Sequence, residues 1–154
     1  METEDGVKMP RRATMGSAGY DFFSPDTYWL EPGKWTMIDT GVRLTDEAIR
    51  CANYSIGGAC GTTLAPVGVG QWFMMLVPRS GLSNKYGFRI RNTIGIIDMD
   101  YRDTIKAMVT VDEPYTLQRN EKFLQGIFMP FGISIGEIEP SEMRAGGQGS
   151  TGRF

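Results

Sequence analysis

The stretch Asn92-Thr-Ile-Gly-Ile-Ile-Asp-Met-Asp-Tyr-Arg-Asp103 sets two carboxylates, Asp98 and Asp100, after an apolar run and directly before an aromatic ring, Tyr101. A carboxylate with apolar flanks is partly desolvated, which raises its basicity, and a strand fixes its aim. The same letters also describe a strand that ends in Asp-x-Asp before a turn. In a regular strand Asp98 and Tyr101 face opposite sides. Both can serve one site only if the chain bends between them.

Other stretches carry groups suited to anions. Pro78-Arg-Ser-Gly-Leu-Ser-Asn-Lys-Tyr-Gly87 follows an apolar run and reads as a polar turn at a strand end. Such a turn is either only a turn, or it offers Ser80 and Gly81, with Arg79 and Lys85 nearby, to phosphate oxygens. Ser17-Ala-Gly-Tyr-Asp21 brings one acid within reach of a metal or an Arg, although a lone Asp at a strand start is also a common turn residue. Gln125 lies inside the apolar run Phe123-Leu-Gln-Gly-Ile-Phe, and a buried amide needs partners, structural or ligand. The sequence closes on Arg144-Ala-Gly-Gly-Gln-Gly-Ser-Thr-Gly-Arg-Phe154. Glycines let successive N–H groups converge on an anion, Ser150 and Thr151 add hydroxyls, and Arg144 and Arg153 add charge. It is not a Walker loop, because no Gly-Lys-Ser/Thr follows a strand. The same composition describes a Gly/Ser terminus that is mobile when nothing is bound.

Composition narrows the chemistry. No histidine occurs, which removes Ser-His-Asp and Cys-His catalysis and every His-containing metal site. Two cysteines, Cys51 and Cys60, are too few and too widely spaced for a zinc ribbon or a Cys-x-x-Cys redox pair. Bases must then be carboxylates, electrophiles Arg, Lys or backbone amides, and any metal hard and oxygen-bound, with Mg²⁺ the first expectation. With 16 basic and 18 acidic side chains, no bulk attraction to nucleic acid is expected. The acidic opening Met-Glu-Thr-Glu-Asp does not resemble a leader, and no apolar run approaches the roughly 20 residues of a membrane span. A cytoplasmic or otherwise intracellular protein, without a membrane partner, is expected.

The elements that must position these groups are β-like. Short runs rich in aromatic, β-branched and Met residues cover 20–23, 35–39, 42–44, 72–77, 89–91, 104–111 and 123–131. Only 45–51 looks helical, with Thr45 as a possible N-cap and acids in the first turn. The expectation is one all-β domain over 1–143, a sandwich or barrel with at most one short helix. Residues 52–71 carry five glycines and almost no charge, and read as an inserted loop or hairpin.

Taken in order, the motifs resemble a known family. Ala18-Gly-Tyr-Asp21, Pro78-Arg-Ser-Gly81, Gly95-Ile-Ile-Asp-Met-Asp-Tyr-Arg102, Asn120-Glu-Lys-Phe-Leu-Gln125 and Arg144-Ala-Gly-Gly-Gln-Gly-Ser-Thr-Gly152 look like the five ordered motifs of the trimeric dUTPases, the deoxyuridine 5′-triphosphate nucleotidohydrolases. Thr40-Gly-Val-Arg-Leu44 resembles a linker segment of that family. The likeness implies a distorted jelly-roll (β-clip) subunit in a homotrimer, with each site assembled from three chains. It implies dUTP as substrate and Mg²⁺ as cofactor, in the reaction dUTP + H₂O → dUMP + diphosphate, which supplies dUMP and limits uracil in DNA.

Carried over by motif, Asp98 is the base that activates water at the α-phosphorus, and Tyr101 stacks under the deoxyribose and excludes a 2′-hydroxyl. Asn92 and the backbone of 92–97, including Gly95 and Ile97, line the uracil pocket. Asp21 holds water on the metal. Arg79, Ser80, Gly81 and Gln125 contact phosphates, and Arg144, Gly147, Ser150 and Thr151 close over the γ-phosphate as the 144–154 arm. A histidine-free site suits this reaction, because phosphoanhydride hydrolysis needs an aligned water and charge neutralisation.

The sequence departs from the family in three places. Gln148 stands where the arm usually has an aromatic ring over the uracil, a loss worth about 1–3 kcal/mol of stacking. Asp103 replaces a glycine after Tyr-Arg and is expected to alter the turn there. The 52–71 insertion is surplus to the pattern. Two other readings stand beside the hydrolase. One is the related dCTP deaminase, against which the tail and the Ile-Asp-x-Asp-Tyr motif argue. The other is a dUTPase-derived regulatory module that uses the 52–71 insertion on a protein partner.

Overall fold

The computed structural model describes residues 1–45 and 72–132. All of the expected helix over 45–51 except Thr45, the 52–71 insertion, both cysteines and the 144–154 arm lie outside the described residues. What is described is all-β and jelly-roll-like, with one short helix among the described residues.

Among the described residues twelve strands form: β1 Glu2–Thr3, β2 Arg11–Arg12, β3 Tyr20–Phe23, β4 Tyr28–Leu30, β5 Thr36–Asp39, β6 Val42–Arg43, β7 Trp72–Pro78, β8 Arg89–Ile90, β9 Gly95–Asp98, β10 Lys106–Thr110, β11 Tyr115–Leu117 and β12 Lys122–Pro130. The five-stranded sheet has the order β2-β3-β12-β7-β9, a three-stranded sheet runs β5-β10-β8, and two-stranded pieces join β1 to β6 and β4 to β11. Every strand pairing is antiparallel.

Period-two burial drives this arrangement. Along β7, Trp72, Met74 and Leu76 are essentially buried, while Phe73, Met75 and Val77 are half-buried on the other face. They share one core with Ile90, Ala107 and Val109 of the three-stranded sheet. β12 fits against β7 only because position 126 is glycine. A Cβ there would stand 2.6 Å from Met74 Sδ and 2.8 Å from Phe22 Cε2.

One expectation is corrected. The segment read as a polar turn is a helix, α1, over Ser80–Tyr86. Its seven residues show no apolar period, so the helix owes its form to its ends and one anchor. Leu82 is buried, Arg79 enters with extended backbone (φ −71°, ψ 132°), and Gly87 closes it at φ 62°, where its N–H donates to Ser83 O at 2.9 Å. The short strands β1, β2, β4 and β11 carried too little pattern to be expected.

Candidate functional site

Among the described residues β9 is the edge of its sheet, so one side of its backbone is not used by β7, and it shares a cavity with residues of the β5-β10-β8 sheet. Between the two lies a cavity of about 550 Å³ whose walls include Asn92, Gly95, Ile97, Asp98, Tyr101 and Lys106. The tight link from β8 to β9 builds its rim. Thr93 sits at φ 65°, Thr93 N–H donates to Ile90 O at 3.1 Å, and Arg91 N–H ties the link to Met108 O at 2.9 Å. Such a cavity, with apolar and polar walls in about equal share and a backbone edge, suits a small planar ligand that carries hydrogen-bonding groups.

The bend required between Asp98 and Tyr101 is present. β9 stops at Asp98, and the N–H of Tyr101 donates to Asp98 O at 3.1 Å, closing a turn across Met99 and Asp100. Both residues therefore reach the same cavity. Asp100 lies within that turn. The Tyr101 ring is 5% exposed, and its hydroxyl donates to Thr104 O at 2.9 Å.

Asp103 ties down the next step of the chain. Its Oδ1 accepts the Thr104 N–H at 2.8 Å, and its Oδ2 pairs with Lys106 Nζ at 2.8 Å. The Lys106 hydrogen bond and the Thr104 amide hold the Asp103 carboxyl below its ordinary range, and the same bond raises Lys106.

A second cluster surrounds Asp21, which is 1% exposed. Lys122 Nζ lies 2.7 Å from Oδ2, Arg79 Nε lies 3.4 Å from Oδ1, and Gln125 Nε2 donates to Oδ1 at 3.0 Å. Burial pushes the Asp21 pKa up. The Lys122 and Gln125 hydrogen bonds and the charges of Arg79 and Lys122 outweigh it and hold the group below its ordinary value.

Lys122 and Gln125 are three apart and would face opposite sides of a regular strand. A bulge restores them to one side: Lys122 pairs with Phe23 and Leu124 with Phe22, so Phe123 is the extra residue. Ser80 and Gly81 stand exposed at the start of α1, immediately after Arg79.

The structure thus gathers the expected residues into two groups, not one. Asn92, Gly95, Ile97, Asp98 and Tyr101 line the cavity; Asp21, Arg79, Ser80, Gly81 and Gln125 lie at the Pro78 end of β7. Val77 pairs with Gln125 and Gln125 with Asp21, whereas Asp98 pairs with Phe73, four residues back along β7 and three strands across from Asp21. Strand rise and spacing place Asp98 and Asp21 roughly 20 Å apart. Arg144, Gly147, Gln148, Ser150 and Thr151 lie outside the described residues.

Three groups at these sites escaped the sequence reading: Lys122 on Asp21, Lys106 in the cavity wall, and Asp39, whose Oδ2 accepts from Thr104 Oγ1 at 2.7 Å. Lys122 falls inside a quoted motif and had a signal. Asp39 meets its partner across 65 positions of sequence and had none.

Comparisons with known proteins agree on one family. The family model described as dUTPase matches residues 66–152. The chain is 30% identical to a deoxyuridine 5′-triphosphate nucleotidohydrolase from Lactococcus lactis, covering 96% of this chain and 89% of that one. It is 35% identical to one from Tolumonas auensis, covering 94% and 87%. Its fold matches a solved structure of a mutant dUTPase from Staphylococcus bacteriophage 80alpha with dUpNHpp, with a TM-score of 0.64 and 19% identity over 92% of this chain and 94% of that one.

Proposed function

The chain belongs to the dUTPase family, the dUTP diphosphatases, and we propose how its own residues perform that hydrolysis. The observation that carries the reading is the turn that brings Asp98 and Tyr101 to one cavity edged by β9 backbone. Uracil presents an acceptor, donor, acceptor edge, which pairs with the N–H and C=O groups of 95–97 as a neighbouring strand would, and Asn92 adds an amide at the rim. Tyr101 lies under the deoxyribose. Asp98 then holds a water in line with the α-phosphorus and takes its proton as the bond to the β-phosphate oxygen breaks, giving dUMP and diphosphate.

The phosphates go to the Arg79, Ser80, Gly81 and Gln125 group. The roughly 20 Å between Asp98 and Asp21 in one chain exceeds what the few P–O bonds of a triphosphate span. The phosphate group of one chain therefore serves the cavity of another, in a homotrimer with shared sites. The 144–154 arm is the third contribution: Arg144, Gly147, Gln148, Ser150 and Thr151 close over the nucleotide and shut out bulk water.

Mg²⁺ fits this reading in one way only. Among the described residues no three His, Cys, Asp or Glu side chains converge to hold a metal. Asp21 is already faced by Arg79 and Lys122, so it suits a contact through water rather than direct coordination. Bound with the triphosphate, Mg²⁺ supplies neutralisation of phosphate charge; the remaining charge falls to Arg79.

The test is diphosphate release from dUTP by the purified chain with Mg²⁺, with Asp98→Asn as control. A regulatory module using 52–71 remains an alternative, read by whether deletion of that segment changes partner binding while turnover is kept.

A further inference from the structure

The Thr104 carbonyl that receives the Tyr101 hydroxyl belongs to a residue held at both of its own donors. Its N–H goes to Asp103 Oδ1 at 2.8 Å and its hydroxyl to Asp39 Oδ2 at 2.7 Å. Lys106 lies between the two carboxylates, 2.8 Å from Asp103 Oδ2 and 3.7 Å from Asp39 Oδ2. Asp39 is itself fixed, because its Oδ1 accepts the Gly41 N–H at 3.0 Å. Thr104 is only 4% exposed, and the backbone around it is tied down on both sides: Thr40 N–H donates to Ile105 O at 2.9 Å, and Ile105 N–H to Val42 O at 2.8 Å. The result is a chain of contacts from the end of β5 to the aromatic wall of the cavity.

We propose that Asp39, through Thr104, is a positioning residue that fixes the Tyr101 ring and so sets discrimination between 2′-deoxyribose and ribose in this cavity. The inference rests on the assignment of Tyr101 to the sugar. Exclusion of a hydroxyl is steric, and a steric wall discriminates only if it cannot yield by the few tenths of an ångström that a hydroxyl needs. A tyrosine held at its ring by packing and at its hydroxyl by a braced carbonyl cannot yield. Once the Thr104 hydroxyl loses Asp39, the carbonyl moves with its loop and the ring follows. Asp103 holds the same residue from its N–H.

The test compares kcat/KM for dUTP and UTP in the wild type, Thr104→Val and Thr104→Ser. Thr104→Val keeps the shape and removes only the hydroxyl. It is expected to lower the dUTP-over-UTP preference by about fivefold, the effect of one hydrogen bond, mostly through a lower KM for UTP. Thr104→Ser keeps the hydroxyl and is expected to keep the wild-type ratio, which a merely structural role for the methyl-bearing side chain would not produce. A folded Thr104→Val with the wild-type ratio overturns the proposal. If that variant does not fold, Asp39→Ala, which removes the acceptor oxygens altogether, is read in the same way, with an unchanged ratio overturning it. The ratio of calorimetric affinities for dUMP and UMP is read in parallel. A wild type that releases no diphosphate from dUTP counts against the proposed hydrolysis, and the brace is then judged on the affinity ratio. A wild type that binds both sugars equally removes the assignment of Tyr101 and the brace with it.

Discussion

Tyr101 donates its backbone N–H to the carbonyl of Asp98 at 3.1 Å, and this hydrogen bond closes the turn at the end of β9 that brings both residues to one cavity. Without the turn, strand alternation would send the carboxylate and the ring to opposite faces. The ring is then pinned by its own hydroxyl at Thr104 O. Tyr101→Phe keeps the packing and leaves that carbonyl without the phenol, so it is expected to destabilise the protein by about 1 kcal/mol. Urea unfolding checks this: the midpoint should fall while the slope is kept.

Asp21 is a buried acid stabilised by its surroundings, and the sign of its pH dependence follows. Its pKa in the folded protein lies below the ordinary value of 3.8. The stabilisation is present above 3.8 and is lost as pH falls through the depressed folded value. Asp21→Asn is therefore expected to unfold more easily than wild type at pH 7, with the gap closing as pH falls below 3.8. Parallel thermal unfolding from neutral to acid pH reads it, and a gap that is constant or widens towards acid contradicts the account.

Separation of the two groups of side chains makes a prediction about assembly. Chains carrying Asp98→Asn and chains carrying Arg79→Ala should each be inactive alone. Unfolded together and refolded at equal amounts, they should recover about a quarter of wild-type activity, because one site in four joins an intact Asp98 to an intact Arg79 from another chain. No recovery, with trimers of mixed composition verified, would place both groups in the site of a single chain.

Much of the fold was readable where pattern and burial coincide. β3 was legible from its aromatic run, β7 from its apolar one, and β12 from the long stretch through Gln125. α1 was not, because Ser-Gly-Leu-Ser-Asn-Lys-Tyr has no helical stripe and its stability comes from the Gly87 end and the buried Leu82. Nor was the bulge at Phe123, since an extra residue appears only when the partner strand supplies the register. Individual candidate residues were named through ordered motifs. Their division into two distant groups depended on pairing across β3, β12, β7 and β9, and the Asp39–Thr104 contact depended on bringing two strands of another sheet together.

The central claim is that Asp98 activates the water that splits dUTP, and steady-state diphosphate release measures it most directly. Wild type with Mg²⁺ should convert dUTP to dUMP, and Asp98→Asn, which keeps the shape and removes the base, should be slower by about 10²- to 10⁴-fold while still binding dUMP. A variant that hydrolyses dUTP at the wild-type rate, or a folded wild type that releases no diphosphate, would contradict it.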